Sequence, residues 1–334
     1  MNPHDPFTGF PHILETQQFP VEFLIRLFTL ADAIRSRPEA HRGRLANRIV
    51  FIAFNQESTR TFFSFQLAAT LLDAIVIANQ QMGKTSSVAK GESFRGTIKT
   101  LREYNPHYLV VRWDTEESVA QAAEILGPGC PVINGGNGPG QHPTQAMLDL
   151  YTLWRRYKDD LNRELTVAIV GDLERGRTTH SLAYLIGKLF PNVRLIFISP
   201  KSAQMKPEVL EYLKRHEHPF TICTDSYLGE VTPTCDVVYM TRPQLNLEDD
   251  EEKQRLLIEE YRPLILTPDV VQTMKPDAMI LHPLPQSFEL PEEIDDDPRA
   301  WYYQQAGNGL PLRMSIFEIL EGMRPGIMAA LHTT

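Results

Sequence analysis

RIVFIAFNQESTRTFFSFQLAATLL, residues Arg48–Leu72, contains in one stretch the unit from which the rest of the fold is built. Its opening, Arg48–Phe54, is an unbroken apolar run of mostly β-branched and aromatic side chains after one arginine, the pattern of a strand covered on both faces. Thr59–Leu72 reads as a helix, with Ser58 standing where an N-cap is expected. The same alternation recurs. Further strands are predicted at Ala74–Ala78, His107–Arg112, Leu165–Val170, Val193–Ile198, Val237–Met240 and Ala278–Leu281. Helices are predicted between them at Glu92–Tyr104, Glu116–Leu126, Arg177–Leu189 and Pro207–His216, with two more at 18–36 and 311–331. Apolar strands separated by helices predict an α/β fold with buried parallel sheets.

The chain has 334 residues, long for a single core, so two domains of ordinary size are expected. The boundary falls near 134–162, where a glycine-rich loop, NGGNGPGQ (Asn134–Gln141), leads into an amphipathic helix, His142–Tyr157. The acidic run Glu248–Glu252 reads as a solvated loop.

Apolar residues make up 42% of the chain and charged residues 22%, as in ordinary soluble proteins. No run approaches the ~20 apolar residues needed to span a bilayer. The start, MNPHDPFTGFPHIL, lacks the basic and apolar segments of a signal peptide, so a cytoplasmic protein without a membrane partner is expected. With 33 basic against 42 acidic residues the net charge is −9, a poor footprint for nucleic acid. An acidic protein that handles anions must gather arginines in one cleft. Cys130, Cys223 and Cys235 are few, odd in number and not in CxxC spacing, which argues against a disulfide framework and a zinc site. Small buried or half-buried thiols are expected instead.

Loops that follow predicted strands carry the chemistry. Ser58-Thr59-Arg60-Thr61 opens a helix, where backbone N–H groups and the helix dipole favour an anion. The tetrapeptide reads equally as a phosphate cradle or as an N-cap beside an incidental arginine. In QHPTQ (Gln141–Gln145), His142 and Gln145 lie three apart on one helical face. They suit a carbamoyl group, the histidine donating to its oxygen and the glutamine accepting from its nitrogen, although a capping histidine alone would give the same pattern. GDLERGRTTHSL (Gly171–Leu182) projects Arg177 from a strand's carboxyl end, where open α/β sheets bind ligands. MTRPQ (Met240–Gln244) offers Arg242 and Gln244. LHPLPQ (Leu281–Gln286) is stiffened by prolines and presents carbonyls that can accept from an NH2 group.

Together with AWYYQQAGNG (Ala300–Gly309), these motifs in this order resemble the aspartate/ornithine carbamoyltransferase family, most closely its aspartate branch. The resemblance implies two Rossmann-like parallel-sheet domains joined by interdomain helices. Residues 1–150 would bind carbamoyl phosphate and 151–305 the amino acid, while 306–334 would return as a helix to the first domain. It implies transfer of a carbamoyl group from carbamoyl phosphate to L-aspartate, a step of pyrimidine biosynthesis, with no cofactor and no metal. Ser58, Thr59, Arg60 and Thr61 would hold the phosphate. Arg112 and His142 would join Thr61 at the carbonyl oxygen, with Arg60, Thr61, Arg112 and His142 forming the catalytic set. Gln145 and the backbone of Pro283 and Leu284 would take the carbamoyl nitrogen, and Arg177, Arg242 and Gln244 the carboxylates of aspartate. A homotrimer with shared sites is implied, in which Ser86 and Lys90 of a mobile loop, SSVAKGES (Ser86–Ser93), serve a neighbouring subunit. The resemblance also admits regulatory chains or pathway enzymes as further partners.

Some positions depart from the family pattern. Phe62 follows STRT where arginine is usual, and Gln56 and Glu57 precede it where a glutamate often organises arginines. Trp113 stands in place of a histidine and Gln286 in place of an arginine. These changes bear on domain closure and on the acceptor, and leave open a relative with another acceptor or a non-catalytic scaffold.

Overall fold

The computed structural model describes residues 11–224, 227–244 and 250–331. The first ten residues of the N-terminal stretch, and Glu248 and Asp249 of the acidic run, lie outside the described residues. The chain divides into two compact units, residues 1–147 with 308–334, and residues 148–307.

In the first unit, α1 (Val21–Ser36) precedes β1 (Ile49–Phe54), α2 (Thr59–Leu71), β2 (Ile75–Asn79) and a short α3 (Met82–Thr85). A 3-10 turn, Ser87–Lys90, leads to α4 (Phe94–Glu103), β3 (Tyr108–Trp113), α5 (Ser118–Leu126) and β4 (Val132–Asn137). The strands form one parallel sheet in the order β2-β1-β3-β4. The central strands β1 and β3 are buried along almost their whole length, as their apolar runs require. Edge strand β2 is not. Ile75 and Ile77 are exposed, because an edge strand is sheltered on fewer sides than a central one.

The segment read as a glycine-rich loop is in part strand β4, which has little hydrophobic pattern because Gly135 and Gly136 supply no side chain. Just beyond it, Gly138 has φ +52°, and a Cβ there would stand 2.3 Å from the Asp114 carbonyl oxygen. The chain passes to the second unit within α6 (Pro143–Tyr157) and returns within a later helix, Tyr302–Leu331. In the returned segment Phe317 meets Phe65 edge-on at 6.1 Å and Tyr108 at 5.6 Å. Glu321 accepts from Arg48 Nη2 at 2.5 Å and also from the Tyr108 hydroxyl.

The second unit runs β5 (Leu165–Val170), α7 (Arg177–Leu189), β6 (Val193–Ser199), α8 (Pro207–Arg215), β7 (Phe220–Thr224) and α9 (Leu228–Val231). It continues with β8 (Val237–Met240), α10 (Glu251–Tyr261), α11 (Pro268–Thr273) and β9 (Met279–Leu281), before α12 (Tyr302–Leu331). Its sheet is parallel throughout, in the order β7-β6-β5-β8-β9. The acidic run is not all loop. Asp250 caps α10 by accepting from the Glu252 and Lys253 N–H groups at 2.9 and 3.3 Å. One core gathers Val170, Ile198, Val238 and Ile280 from the strands with Leu264, Val271 and Tyr302.

Both sheets reverse direction in their order at one point, between β1 and β3 in the first and between β5 and β8 in the second. At such a switch point the connections leave to opposite faces of the sheet and open a crevice at the strands' carboxyl ends.

Candidate active site

In the first unit the switch point is occupied by Ser58–Thr61, which follows β1, and by Arg112 on β3. Ser58 is the N-cap of α2 by backbone geometry, with φ −160°, but its side chain makes no capping hydrogen bond. Side-chain capping therefore does not account for the hydroxyl. Thr59 and Arg60 are exposed, whereas Thr61 is buried with its Oγ1 3.2 Å from Nε2 of the buried His142. Arg112 donates from Nη1 to the Gly135 carbonyl on β4 at 2.9 Å, which holds the half-buried guanidinium across the sheet. The Gln145 N–H donates to the His142 carbonyl at 3.0 Å, so the pair share the first turn of α6.

Gln141, the neighbour of His142 in the chain, is held by side chains that the motif reading passed over. Asn137 Oδ1 accepts from the Gln141 N–H at 2.8 Å and from Asn134 Nδ2 at 3.1 Å. Gln141 Oε1 accepts from the Thr16 N–H at 2.9 Å and from its hydroxyl at 2.8 Å. The first glutamine of QHPTQ is thus an anchor to residues near the N-terminus. Asparagines between glycines carry no hydrophobic period, and only their burial marks them.

Phe62, Trp113, Glu57 and Gln286 each have a local partner. Phe62 is buried and meets Phe54 at 5.6 Å, and the Trp113 ring lies 4.8 Å from that of Phe94. Glu57 is exposed and pairs with Lys84 at 2.6 Å, a bond that holds its carboxyl below the usual range. Ser86 is tied into its own turn, donating to the Met82 carbonyl at 2.5 Å and accepting from the Val88 N–H at 3.2 Å. Lys90 ends the 3-10 turn and is exposed.

In the second unit the switch point carries Arg177, which opens α7 after β5, and Arg242 and Gln244, which follow β8. All three are half-buried. Asp172, another residue missed in the sequence, spans the two loops by accepting from the Arg175 N–H at 3.1 Å and the Gln244 N–H at 3.3 Å. Burial pushes its carboxyl above the usual range. Gly171 lets the loops approach, since at φ +122° a Cβ would stand 2.2 Å from the Thr241 carbonyl oxygen. Pro283 and Leu284 follow β9 and are half-buried, with Leu284 at φ +56° and the Leu284–Pro285 peptide cis. Gln286 donates to Asp295 at 3.0 Å.

His180, one turn into α7, donates from Nε2 to the Leu173 carbonyl at 2.7 Å and fastens the loop that carries Arg177. Burial lowers its pKa to about 4. The unfolded imidazole takes a proton near pH ~6.5. Acid therefore favours unfolding, and stability present above pH ~6.5 is lost as the pH falls toward 4, by on the order of 2–3 kcal/mol. Denaturant unfolding across this interval should show the slope, and His180→Gln should flatten it. An unchanged slope in the variant would assign the acid sensitivity elsewhere.

Burial pushes the thiols of Cys130 and Cys235 up, to about 12 and about 11. Among the described residues no group of three or more His, Cys, Asp and Glu side chains could hold a metal ion. No described helix is long and apolar enough to cross a membrane.

Comparison with known proteins gives a consistent result. Residues 11–155 match the family model of the aspartate/ornithine carbamoyltransferase carbamoyl-P binding domain, and residues 163–320 that of the Asp/Orn binding domain. The chain is 38% identical over 311 residues to aspartate carbamoyltransferase 1, chloroplastic, of Pisum sativum, covering 92% of this chain and 78% of that one. It is 36% identical over 314 residues to the aspartate carbamoyltransferase catalytic subunit of Methanocella arvoryzae, covering 93% and 97%. Among solved structures, aspartate transcarbamoylase of Trypanosoma cruzi with carbamoyl phosphate and aspartate is similar at a TM-score of 0.82 and 30% identity, covering 92% and 94%.

Proposed function

The chain belongs to the aspartate/ornithine carbamoyltransferase family, and on that premise we propose how its residues divide the work of carbamoyl transfer. The enzyme transfers the carbamoyl group of carbamoyl phosphate to the amine of L-aspartate, giving N-carbamoyl-L-aspartate and phosphate, a step of pyrimidine biosynthesis. The observation that carries the residue assignment is the coincidence of motif and topology. Ser58–Thr61 and Arg112 meet the switch point of one sheet, and Arg177, Arg242 and Gln244 that of the other.

Ser58, Thr59 and Arg60 hold the phosphate at the start of α2, where N–H groups and the dipole add to the arginine's charge. Thr61, Arg112 and His142 donate to the carbamoyl oxygen and stabilise the oxyanion that develops as the amine attacks. Gln145 and the carbonyls of Pro283 and Leu284 accept from the carbamoyl nitrogen. Arg177, Arg242 and Gln244 orient the aspartate carboxylates, so that attack becomes effectively unimolecular. The C–N bond forms first, and the C–O bond to phosphate breaks as the oxyanion collapses. The departing phosphate takes the proton lost by the amine, so no protein nucleophile is needed.

Arg242→Ala should raise the KM for aspartate by about 100-fold, the loss expected for a charge-assisted contact, and leave carbamoyl phosphate binding within about twofold. Steady-state kinetics together with direct carbamoyl phosphate titration read the two separately, and equal loss of both would move Arg242 out of the acceptor site. The reading as a whole is tested by turnover of carbamoyl phosphate with aspartate against a panel of other amines. Preference for another amine would reassign the acceptor, and absence of turnover would favour a scaffold.

We further propose a homotrimer whose neighbouring subunits lend Ser86 and Lys90 to each site. The exposed apolar side chains Phe63, Leu67, Ile75 and Ile77 of the first unit support an interface between copies. The free cysteines suit the reducing cytoplasm.

A further inference from the structure

The reaction leaves unused a buried polar chain in the second unit. The Tyr239 hydroxyl donates to Asp149 Oδ2 at 2.7 Å, and Gln305 Nε2 donates to Asp149 Oδ1 at 2.6 Å. Gln305 Oε1 accepts from the His282 N–H at 2.8 Å. The imidazole of His282 then accepts at Nδ1 from the Leu284 N–H at 2.8 Å and faces Glu289 Oε1 from Nε2 at 3.1 Å. Glu289 Oε1 also accepts from the Ser287 N–H at 2.9 Å. Tyr239, His282 and Gln305 are at most 1% exposed, Asp149 is fully buried, and Glu289 is 2% exposed.

The tautomer follows from the donors. A backbone N–H can only donate, so Nδ1 carries no proton, and the ring's one N–H is at Nε2 and donates to the Glu289 carboxylate. The loop it serves is poor in backbone donors. Pro283 and Pro285 have no N–H, so Leu284 offers the only backbone donor between His282 and Gln286. That donor is spent on His282. In a trans peptide the N–H and the preceding C=O point in opposite directions across one rigid plane. Turning the Leu284 N–H toward His282 therefore turns the Pro283 carbonyl away from it. Leu284 itself stands at φ +56°, a region that a leucine rarely occupies.

We propose that His282, oriented by Glu289 and by the Gln305–Asp149–Tyr239 chain, is a positioning residue that aims the Pro283 and Leu284 carbonyls and thereby sets selectivity for a carbamoyl NH2 over an acyl group without N–H. This rests on the reading that those carbonyls accept from the carbamoyl nitrogen. His282 touches no substrate. It acts through one hydrogen bond to the backbone.

The test compares binding of carbamoyl phosphate and of acetyl phosphate, in which a methyl replaces the NH2 group, to the full-length wild-type enzyme, His282→Leu and His282→Asn. Asparagine places Oδ1 as far from Cα in bonds as histidine places Nδ1, and accepts readily from the N–H two residues on. His282→Leu should weaken carbamoyl phosphate about 30-fold, as for the loss of two hydrogen bonds, and leave acetyl phosphate within about twofold. His282→Asn should restore most of the difference. A His282→Leu enzyme that keeps the wild-type ratio, or that loses both ligands equally, overturns the proposal. If wild type itself does not distinguish the two phosphates, the carbonyl reading has failed, and the proposal with it. Should His282→Leu not fold, 15N spectra of the wild-type histidines, assigned with His282→Asn, decide the matter. The His282 signal should show Nε2 protonated and Nδ1 bare at neutral pH, and a protonated Nδ1 refutes the proposal.

Discussion

Arg60→Ala should lower kcat by about two to three orders of magnitude while changing the free energy of unfolding by no more than about 0.5 kcal/mol. The two halves of this expectation have separate causes. Arg60 is the second residue of α2 and is exposed, so truncation opens no cavity in the core around Phe54, Phe62 and Phe65. Alanine is also at least as good a helix former as arginine. In the proposed reaction, by contrast, the guanidinium faces a phosphate whose negative charge grows as the C–O bond breaks. A charge-assisted donor fixed at that point is worth several kcal/mol in a site from which water is excluded. Arg60→Lys should recover only part of the rate, because an ammonium keeps the charge but not the planar fork. Steady-state kinetics beside denaturant unfolding separate rate from stability. A variant with near-wild-type kcat removes Arg60 from the phosphate, and a large fall in stability would mean that the residue is structural.

How far the molecule could be read in advance depended on which forces leave a trace in sequence. Leu165–Val170, Arg177–Leu189 and Val237–Met240 were legible to the residue, because they are central elements whose burial demands unbroken apolar runs or a periodic face. β7 was not, since FTICT lies at a sheet edge with Thr221 and Ile222 exposed, and an edge tolerates almost any residue. β4 hid behind its glycines. α10 hid behind its charge, the acidic capping residue and first turn reading as loop. The site divided in the same way. Residues whose side chains are proposed to meet an anion stood out, because an arginine after an apolar strand is conspicuous. Asp172, Asn137 and His282 did not, although each fixes a loop that carries residues of the proposed site. Their work is done on backbone N–H groups, which any loop possesses and no sequence pattern announces.

Two inactive variants should make an active enzyme when mixed. Lys90 is exposed and ends a 3-10 turn that follows Gly83 and precedes Gly91, the latter at φ +93°. A solvated lysine would look the same, and its removal would then change little, as for most surface substitutions. In the proposed trimer the side chain instead adds positive charge to a neighbour's site that must hold a phosphate and two carboxylates together. Lys90→Ala and Arg60→Ala homotrimers should then each be nearly inactive, because every site lacks one of the two cations. Trimers dissociated, mixed and reassociated contain interfaces at which an Arg60 from one subunit meets a Lys90 from the next. Those sites are whole. With random mixing of equal amounts, about one site in four should be intact, so activity should rise from near zero to roughly a quarter of wild type. A site built within one subunit gives no recovery, since each subunit still carries its own defect. Native mass spectrometry establishes that mixing has occurred, and mixed trimers without activity would refute the shared site.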